Sequence, residues 1–246
     1  MTQLPLIPVR VRTCWNPSTE TASRPRFATC DDRLDYVIKG DEEGNPVRAN
    51  EWICTWLART VGIAVATPAI VQDLDKKLLF GSQICGEDTN DNMGAFTHNV
   101  LTSEHLEQIW RTFVFDLFIR NPDRHINNYK FFLQNRHIRM ISFDFGDSLF
   151  KYWPNLSLPL PQSCNTIECF RFIQSKYCQI NLDIADDVLS RLANLDGAAM
   201  VSTVKSLPRG WLSATQSKEF MAWFGGRPRR ERITKIREGL RDGSYL

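Results

Sequence analysis

Two polar clusters, "NPDRHINN" (121–128) and "FDFG" (143–146), are separated only by a stretch with the length and alternation of one β-hairpin. A hairpin returns the chain to the place it left. The spacing therefore predicts that Asp123, Asn128 and Asp144 meet at one end of a single local unit. Before the first cluster lies a run with a wide apolar helical face, containing Leu106, Ile109, Trp110, Phe113, Val114 and Leu117 after an N-capping Ser103. The polar residues are thus held between a helix and a hairpin.

The rest of the chain divides by period. "PVRVRTC" (8–14), "FATC" (27–30) and "DYVIKG" (35–40) read as strands, the last two forming a hairpin about the turn "DDRL". From Val47 to Val61 the period becomes helical, with Trp52, Ile53, Trp56, Leu57 and Val61 on one face and a stop at Gly62. Strands return in "PAIVQD" and "KKLLFGSQI", and "CGEDTNDNMG" (85–94) reads as a hinge. Beyond it, helices are predicted at 166–177, 184–194, 198–206 and 216–238, after a Pro-rich loop at 152–163. The fold class is α+β and bilobal. A small β-rich N-lobe with one helix (1–88) precedes a larger, mainly helical C-lobe (89–246), with a cleft between them for a ligand.

The chain's 246 residues, 43% hydrophobic and 24% charged with a net charge of +2, are ordinary for a globular protein and point to no polyanionic partner. Seven cysteines include no CxxC pair, and the four inside apolar, regular segments read as small buried hydrophobes in a reducing compartment. No stretch has the ~20 apolar residues of a membrane span, and "MTQLPLIPVRVRT" lacks the features of a signal peptide. A cytoplasmic protein is expected. The basic stretch "GGRPRRERITKIRE" (225–238) reads as solvated helix rather than a nucleic-acid surface. Asp186 and Asp187 read as helix surface, and Trp211 and Trp223 as packing of the helical part.

Phosphoryl transfer from a nucleotide needs a carboxylate near the attacking hydroxyl, oxygen ligands for magnesium and a cation on the phosphates. Asp123, then Asn128 with Asp144, fit the first two needs. Lys39, at the end of the strand "YVIK", fits the third. These elements occur in the order a kinase requires. Asn127 competes with Asn128 for the metal role, but the five-residue offset from Asp123 favours Asn128. Arg124 and His125 read as braces of the loop. Glu51 either pairs with Lys39 or is an exposed acid favoured near a helix N-terminus.

The Asp-Arg-His order is unlike the eukaryotic protein-kinase loop. It resembles the HipA-like kinases and the phosphatidylinositol kinases. The segment "YVIKG…ANEWICTWLARTVGIAVATPAIV", with "LLFGSQ" and "LPRGWLS" (207–213), resembles the HipA-like pattern over roughly residues 8–215. The resemblance implies a kinase of Ser or Thr that uses ATP and Mg2+. Asp123 would be the hydroxyl-positioning carboxylate, Asn128 and Asp144 the magnesium ligands, and Lys39 the α/β-phosphate contact. Glu51 and Gln83 would be on the nucleotide side. No glycine-rich loop precedes the Lys strand. Its place is taken by "NPSTETASRPRF", where Ser23, ahead of Ser18, Thr19 and Thr21, is the candidate for phosphate contact or self-phosphorylation. The implied partners are a protein substrate, such as an aminoacyl-tRNA synthetase or another translation factor, and an antitoxin. The chain is shorter than full-length HipA proteins and is expected to lack their N-terminal region. The alternatives are a small-molecule or lipid kinase of the same fold, or a nucleotide-binding regulator without transfer activity.

Overall fold

Each of the five alternating segments at the start of the chain becomes a strand, and their closure into a barrel is the feature the pattern did not foretell. The computed structural model describes residues 7–15, 26–84, 86, 92–98, 101–177 and 179–245. Strands β1 (Val9–Trp15), β2 (Arg26–Cys30), β3 (Asp35–Lys39), β4 (Pro68–Gln72) and β5 (Leu78–Gln83) run in the order β1-β2-β3-β5-β4. The barrel closes through a parallel pairing of Val9 with Val71 and Arg10 with Gln72. β2 and β3 form the expected hairpin, with Thr29 opposite Asp35. Val11, Ala28, Cys30, Tyr36, Ile38, Ala69, Val71 and Leu79 make a small separate core inside it. A Cβ on Gly81 would lie 2.4 Å from Val71 Cγ2, so only glycine fits that crowded wall.

Helix α1 (Val47–Thr60) is buried along its whole length from Ala49 to Ala58 rather than on one face. It touches β5 on one side and the helical part of the chain on the other. Its side chains Trp52, Ile53 and Leu57 belong to one continuous core that reaches Phe220, Ile233 and Leu240. That core is built by α3 (Ser103–Ile119), α4 (Asn165–Lys176), α5 (Leu182–Asn194), α6 (Gly197–Lys205), α7 (Ala214–Gly225) and α8 (Arg227–Arg241). A short helix, α2 (Asn92–Thr97), follows the stretch read as a hinge, whose residues 85 and 87–91 lie outside the described residues.

Three local readings shift. The cap of α3 is Thr102, one residue earlier than expected, because the His105 imidazole accepts from its backbone N–H while its hydroxyl accepts from His105 N–H. The single helix expected over 216–238 is two, broken at Gly226, where a Cβ would meet Ala222 O at 2.8 Å and where Pro228 starts α8. Trp211 packs edge-on against Trp52 and donates to Leu78 O of β5 at 3.2 Å, so it joins the helical part to the barrel.

The basic stretch is also less solvated than its composition suggests. Arg232 donates to Phe118 O and Leu117 O at 2.7 and 2.6 Å, and Arg229 donates to Leu195 O and Ala193 O. Two arginines of α8 thus supply the partners that the carbonyl ends of α3 and α5 lack. Burial pulls Arg232 down to about 10.

Asp186 and Asp187 likewise tie helices together. Asp186 accepts from Arg237 and Arg241 of α8, and Asp187 from Arg111 of α3 and Arg191. Their slight burial favours the neutral acid, but the arginine hydrogen bonds outweigh it and hold both carboxyls below the ordinary Asp range. A depressed folded pKa gives stability that is present above the unfolded value, about 3.9, and is lost as pH falls through the folded value. Both groups are more than a third exposed, so screening keeps each pair near roughly 0.2–1 kcal/mol. Denaturant midpoints of Asp186→Asn and Asp187→Asn are expected to lie slightly below wild type at pH 7 and to converge with it near pH 3. Equal midpoints at both pH values would remove these pairs from the stability account.

Candidate active site

The hairpin that the two polar clusters flank is β6 (Tyr129–Gln134) and β7 (His137–Ser142), paired from Tyr129–Ser142 to Gln134–His137. Its two-residue turn, Asn135-Arg136, has φ of 49° and 63°, the left-handed pair that matches strand twist. The Phe143 N–H donates to Asn128 O at 3.1 Å, one step beyond the last strand pair. Asn128 and the Phe143–Asp144 peptide are therefore neighbours at the open end.

That end is anchored from outside. The Ala64 N–H donates to Gln108 Oε1, and Ala64 O accepts from Gln108 Nε2 and from the Ser142 N–H at 2.9 Å. Thr112 Oγ1 lies 2.7 Å from Ser142 Oγ. The last residue of β7 is so tied both to α3 and to the chain leaving α1. Two residues later Asp144 takes φ 64°, a left-handed conformation that turns it away from the strand path.

Lys39, Glu51 and Asp144 meet there. The Lys39 ammonium donates to Glu51 Oε1 at 2.5 Å and to Asp144 Oδ1 at 2.7 Å. Glu51 is buried on α1, which decides between its two readings in favour of the pair with Lys39. Burial opposes charge on Lys39, but the two carboxylates outweigh it and hold the ammonium above its ordinary pKa. Burial also raises Asp144, and the nearby Lys39 outweighs that and lowers it. Glu51, more deeply buried, is pushed up. The backbone N–H groups of Phe145 and Gly146 support Glu51 and Asp144 respectively. A Cβ on Gly146 would lie 3.0 Å from Val47 Cγ1 and 3.4 Å from Glu51 Oε1, so glycine lets this turn sit against α1.

The loop carrying Asp123 is organised around Arg124, which is 1% exposed, and Asp116, which is 0% exposed. Arg124 Nε donates to Asp116 Oδ2 at 2.7 Å and Nη2 to Asp116 Oδ1 at 3.0 Å. Its Nη1 donates to Asn128 O at 3.3 Å and to Phe143 O, while its guanidinium lies 4.9 Å from the Phe145 ring. One side chain thus clamps both polar clusters. Asn121 Nδ2 completes the Asp116 partners at 2.8 Å, and Thr166 bridges Asn121 O and the Arg124 N–H.

Asp123 is half-buried. Asn165, at the start of α4, donates to Asp123 Oδ1 at 2.6 Å, and Asn128 Nδ2 donates to Asp123 O at 3.0 Å. With its amide nitrogen so engaged, Asn128 leaves Oδ1 without a hydrogen bond among the described residues. An uncommitted amide oxygen and a carboxylate at the same hairpin end suit a hard cation that completes its shell with water and phosphate oxygens. Among the described residues no group of three or more His, Cys, Asp or Glu could hold a metal by itself.

Of the other sequence candidates, Gln83 ends β5 opposite Tyr36, its N–H donating to Thr67 O at 2.9 Å. Ser23, Ser18, Thr19 and Thr21 lie outside the described residues. Asn127 precedes Asn128 in the same short 3-10 turn. Sequence reasoning missed Asp116, Asn165 and Asn50. Asn50 Nδ2 donates to Gly146 O at 2.8 Å, and its Oδ1 accepts from the Phe150 N–H at 2.9 Å. The usable signals were a lone acid within "FVFDLF" and the Asn preceding Glu51. Asn165 carried none. A cavity of about 290 Å³, lined by residues including Ala64, His105, Gln108, Phe132 and Met140, does not include Lys39, Asp123, Asn128 or Asp144.

A family model described as HipA-like kinase matches residues 11–222. Among solved structures, the chain resembles a Helicobacter pylori proinflammatory kinase, CtkA, with a TM-score of 0.64 at 14% identity. That match covers 95% of this chain and 98% of the other. It also resembles HipA from a Shewanella oneidensis MR-1 toxin–antitoxin complex with HipB and operator DNA, with a TM-score of 0.48 and 14% identity, over 85% of this chain and 60% of that one. No curated protein matches the sequence.

Proposed function

The chain belongs to the HipA-like kinase family, and from that premise we propose that it transfers the γ-phosphate of Mg-ATP to a Ser or Thr hydroxyl of a protein. The observation that carries this reading is the meeting of Lys39, Glu51 and Asp144 beside the hairpin end that holds Asn128. In this reading the barrel with α1, residues 1–88, acts as a small lobe and residues 89–246 as a large one, with the nucleotide between them.

Bound there, Mg-ATP would supply the transferable phosphoryl group, with the metal neutralising phosphate charge. Asn128 Oδ1 and the Asp144 carboxylate would hold the metal, and Lys39 would exchange part of its contact with Asp144 for phosphate oxygens. Glu51 keeps Lys39 in place while that happens, since its own carboxylate is held by the Phe145 N–H. Asp123 positions the acceptor hydroxyl and takes its proton, and Asn165 fixes the orientation of that carboxylate. Gln83 and the Ser18–Ser23 loop would border the nucleotide. The protein's contribution is positioning and charge neutralisation.

A protein target, including a translation factor or the chain itself, an antitoxin partner and a cytoplasmic setting follow the family reading. The five cysteines among the described residues that are free of disulfides suit a reducing compartment. The purified chain, incubated with Mg-ATP and a cell lysate, is expected to add phosphate to Ser or Thr residues of a small set of proteins, read by phosphopeptide mass spectrometry. New phosphate found only on metabolites or lipids would move the acceptor to another class. No transfer to any acceptor would overturn the proposal.

A further inference from the structure

We propose that Arg120 and Tyr152 form an anion-binding subsite that reads a carboxylate or a phosphate monoester on the polypeptide presented to Asp123. This inference rests on the phosphotransferase reading for its location, and on the side chains around Arg120 for its chemistry.

Arg120 stands three residues before Asp123, as the C-cap of α3. Its backbone has φ 56°, and its N–H donates to Asp116 O. A left-handed helix cap favours glycine or asparagine, so the arginine sits where its backbone is at a disadvantage. Such outliers concentrate at sites where the side chain is needed. The guanidinium lies 4.5 Å from the centre of the Tyr152 ring, a stacked position that holds it without using its N–H donors. Its Nε is buried with no hydrogen-bond partner, and among the described residues its side chain makes no hydrogen bond or ion pair.

Lys151 lies 6.0 Å from the same Tyr152 ring, but Asp147 already pairs with it. The nearby Arg232 points at the carbonyls of Leu117 and Phe118, has no carboxylate, and repels Arg120 electrostatically. Among the described residues Arg120 therefore has no ion-pair partner, and Arg232 is a second positive charge close to it. Asn121, the residue after Arg120, accepts from the Asp123 N–H at 3.1 Å, so Arg120 begins the turn that carries the acceptor-side carboxylate. A planar, pre-oriented fork with free donors is suited to a carboxylate or phosphate.

Ser-centred peptides in which each flanking position carries Ala, Lys, Asp or phosphoserine provide the test. Two quantities are read: the ratio of transfer rates on anionic and Ala peptides, and peptide affinity without nucleotide by fluorescence anisotropy. The rate ratio does not depend on the fraction of protein that is active. Wild type is expected to favour an anion at one flanking position by about 10- to 100-fold, the range of a charge-assisted hydrogen bond. Preference for phosphoserine over Asp assigns a phosphate reader, and equal preference an acidic-residue reader. Arg120→Gly, which suits the left-handed backbone, is expected to melt no lower than wild type and to bring the ratio near one. Arg120→Lys is expected to fall between.

A wild-type ratio near one, or a ratio kept by Arg120→Gly, would overturn the subsite. If wild type transfers to no peptide, the phosphotransferase reading is decided by the lysate experiment, and the anisotropy decides the subsite: no anionic preference in binding, or one kept by Arg120→Gly, overturns it.

Discussion

Asp123→Asn and Asp144→Asn are both expected to abolish phosphate transfer, and the way they fail is expected to differ. Asp144 accepts from Lys39 and lies at the hairpin end shared with Asn128. In the proposed assignment its loss removes a metal ligand, and it removes one of the two carboxylates that hold Lys39. Both the affinity for Mg-ATP and turnover should then fall. Removal of a single pre-placed electrostatic group costs about 10²–10³-fold in rate, and a metal ligand is at least such a group. Asp123 touches neither Lys39 nor Asp144 in the described hydrogen bonds; it is held by Asn165. Its replacement should leave Mg-ATP affinity near wild type and lower turnover by about 10²–10⁴-fold, the range of a general base. Nucleotide titration calorimetry and single-turnover transfer separate the two patterns. Near-wild-type transfer in both variants would sink the assignment of this site.

What the sequence made visible is what short-range spacing controls. The Asp123–Asn128 offset, the hairpin and the Asp-Phe-Gly turn are contiguous, so the return of one strand beside the other follows from alternation and length. Lys39 could be placed at the end of a strand, but its meeting with Asp144, 105 residues later, depends on the docking of the barrel against the helical part. Glu51 was ambiguous for the same reason. Near a helix start an acid is usually solvated, and only the burial of α1 on every side makes pairing with Lys39 necessary. Asp116 could not be assigned, because an acid within an apolar helical face has no sequence-local partner; Arg124 comes from the next turn of chain. The basic run of α8 misled by composition. Arg229 and Arg232 are buried because carbonyl ends of other helices lie opposite them, which no local pattern records. Barrel closure also escaped, since Val9–Val71 is a parallel pairing between distant segments.

The largest stability effect is expected at Asp116. Asp116→Ala leaves the Arg124 guanidinium, 1% exposed, with no carboxylate partner. Breaking a buried ion pair from one side costs about 3–5 kcal/mol, because the remaining charge stays desolvated. Against a total stability of roughly 5–15 kcal/mol, and at about 2–4 °C per kcal/mol for a chain of this size, the melting temperature should fall by about 6–20 °C. Calorimetry of Asp116→Ala measures this, and a shift under about 2 °C would show that Arg124 finds other compensation. Replacing both partners with apolar residues, as in Asp116→Leu with Arg124→Met, should recover part of the loss, since no buried charge remains. Transfer activity should not recover with it. Arg124 also holds Asn128 O and Phe143 O, the backbone on both sides of the hairpin end. Without that clamp Asn128 and Asp144 lose their fixed separation, and misplacement by about 1 Å can cost 10²-fold in rate. A double variant that regains both stability and transfer would mean that the hairpin alone fixes the site. One that regains only stability would make Arg124 the link between the core and the chemistry.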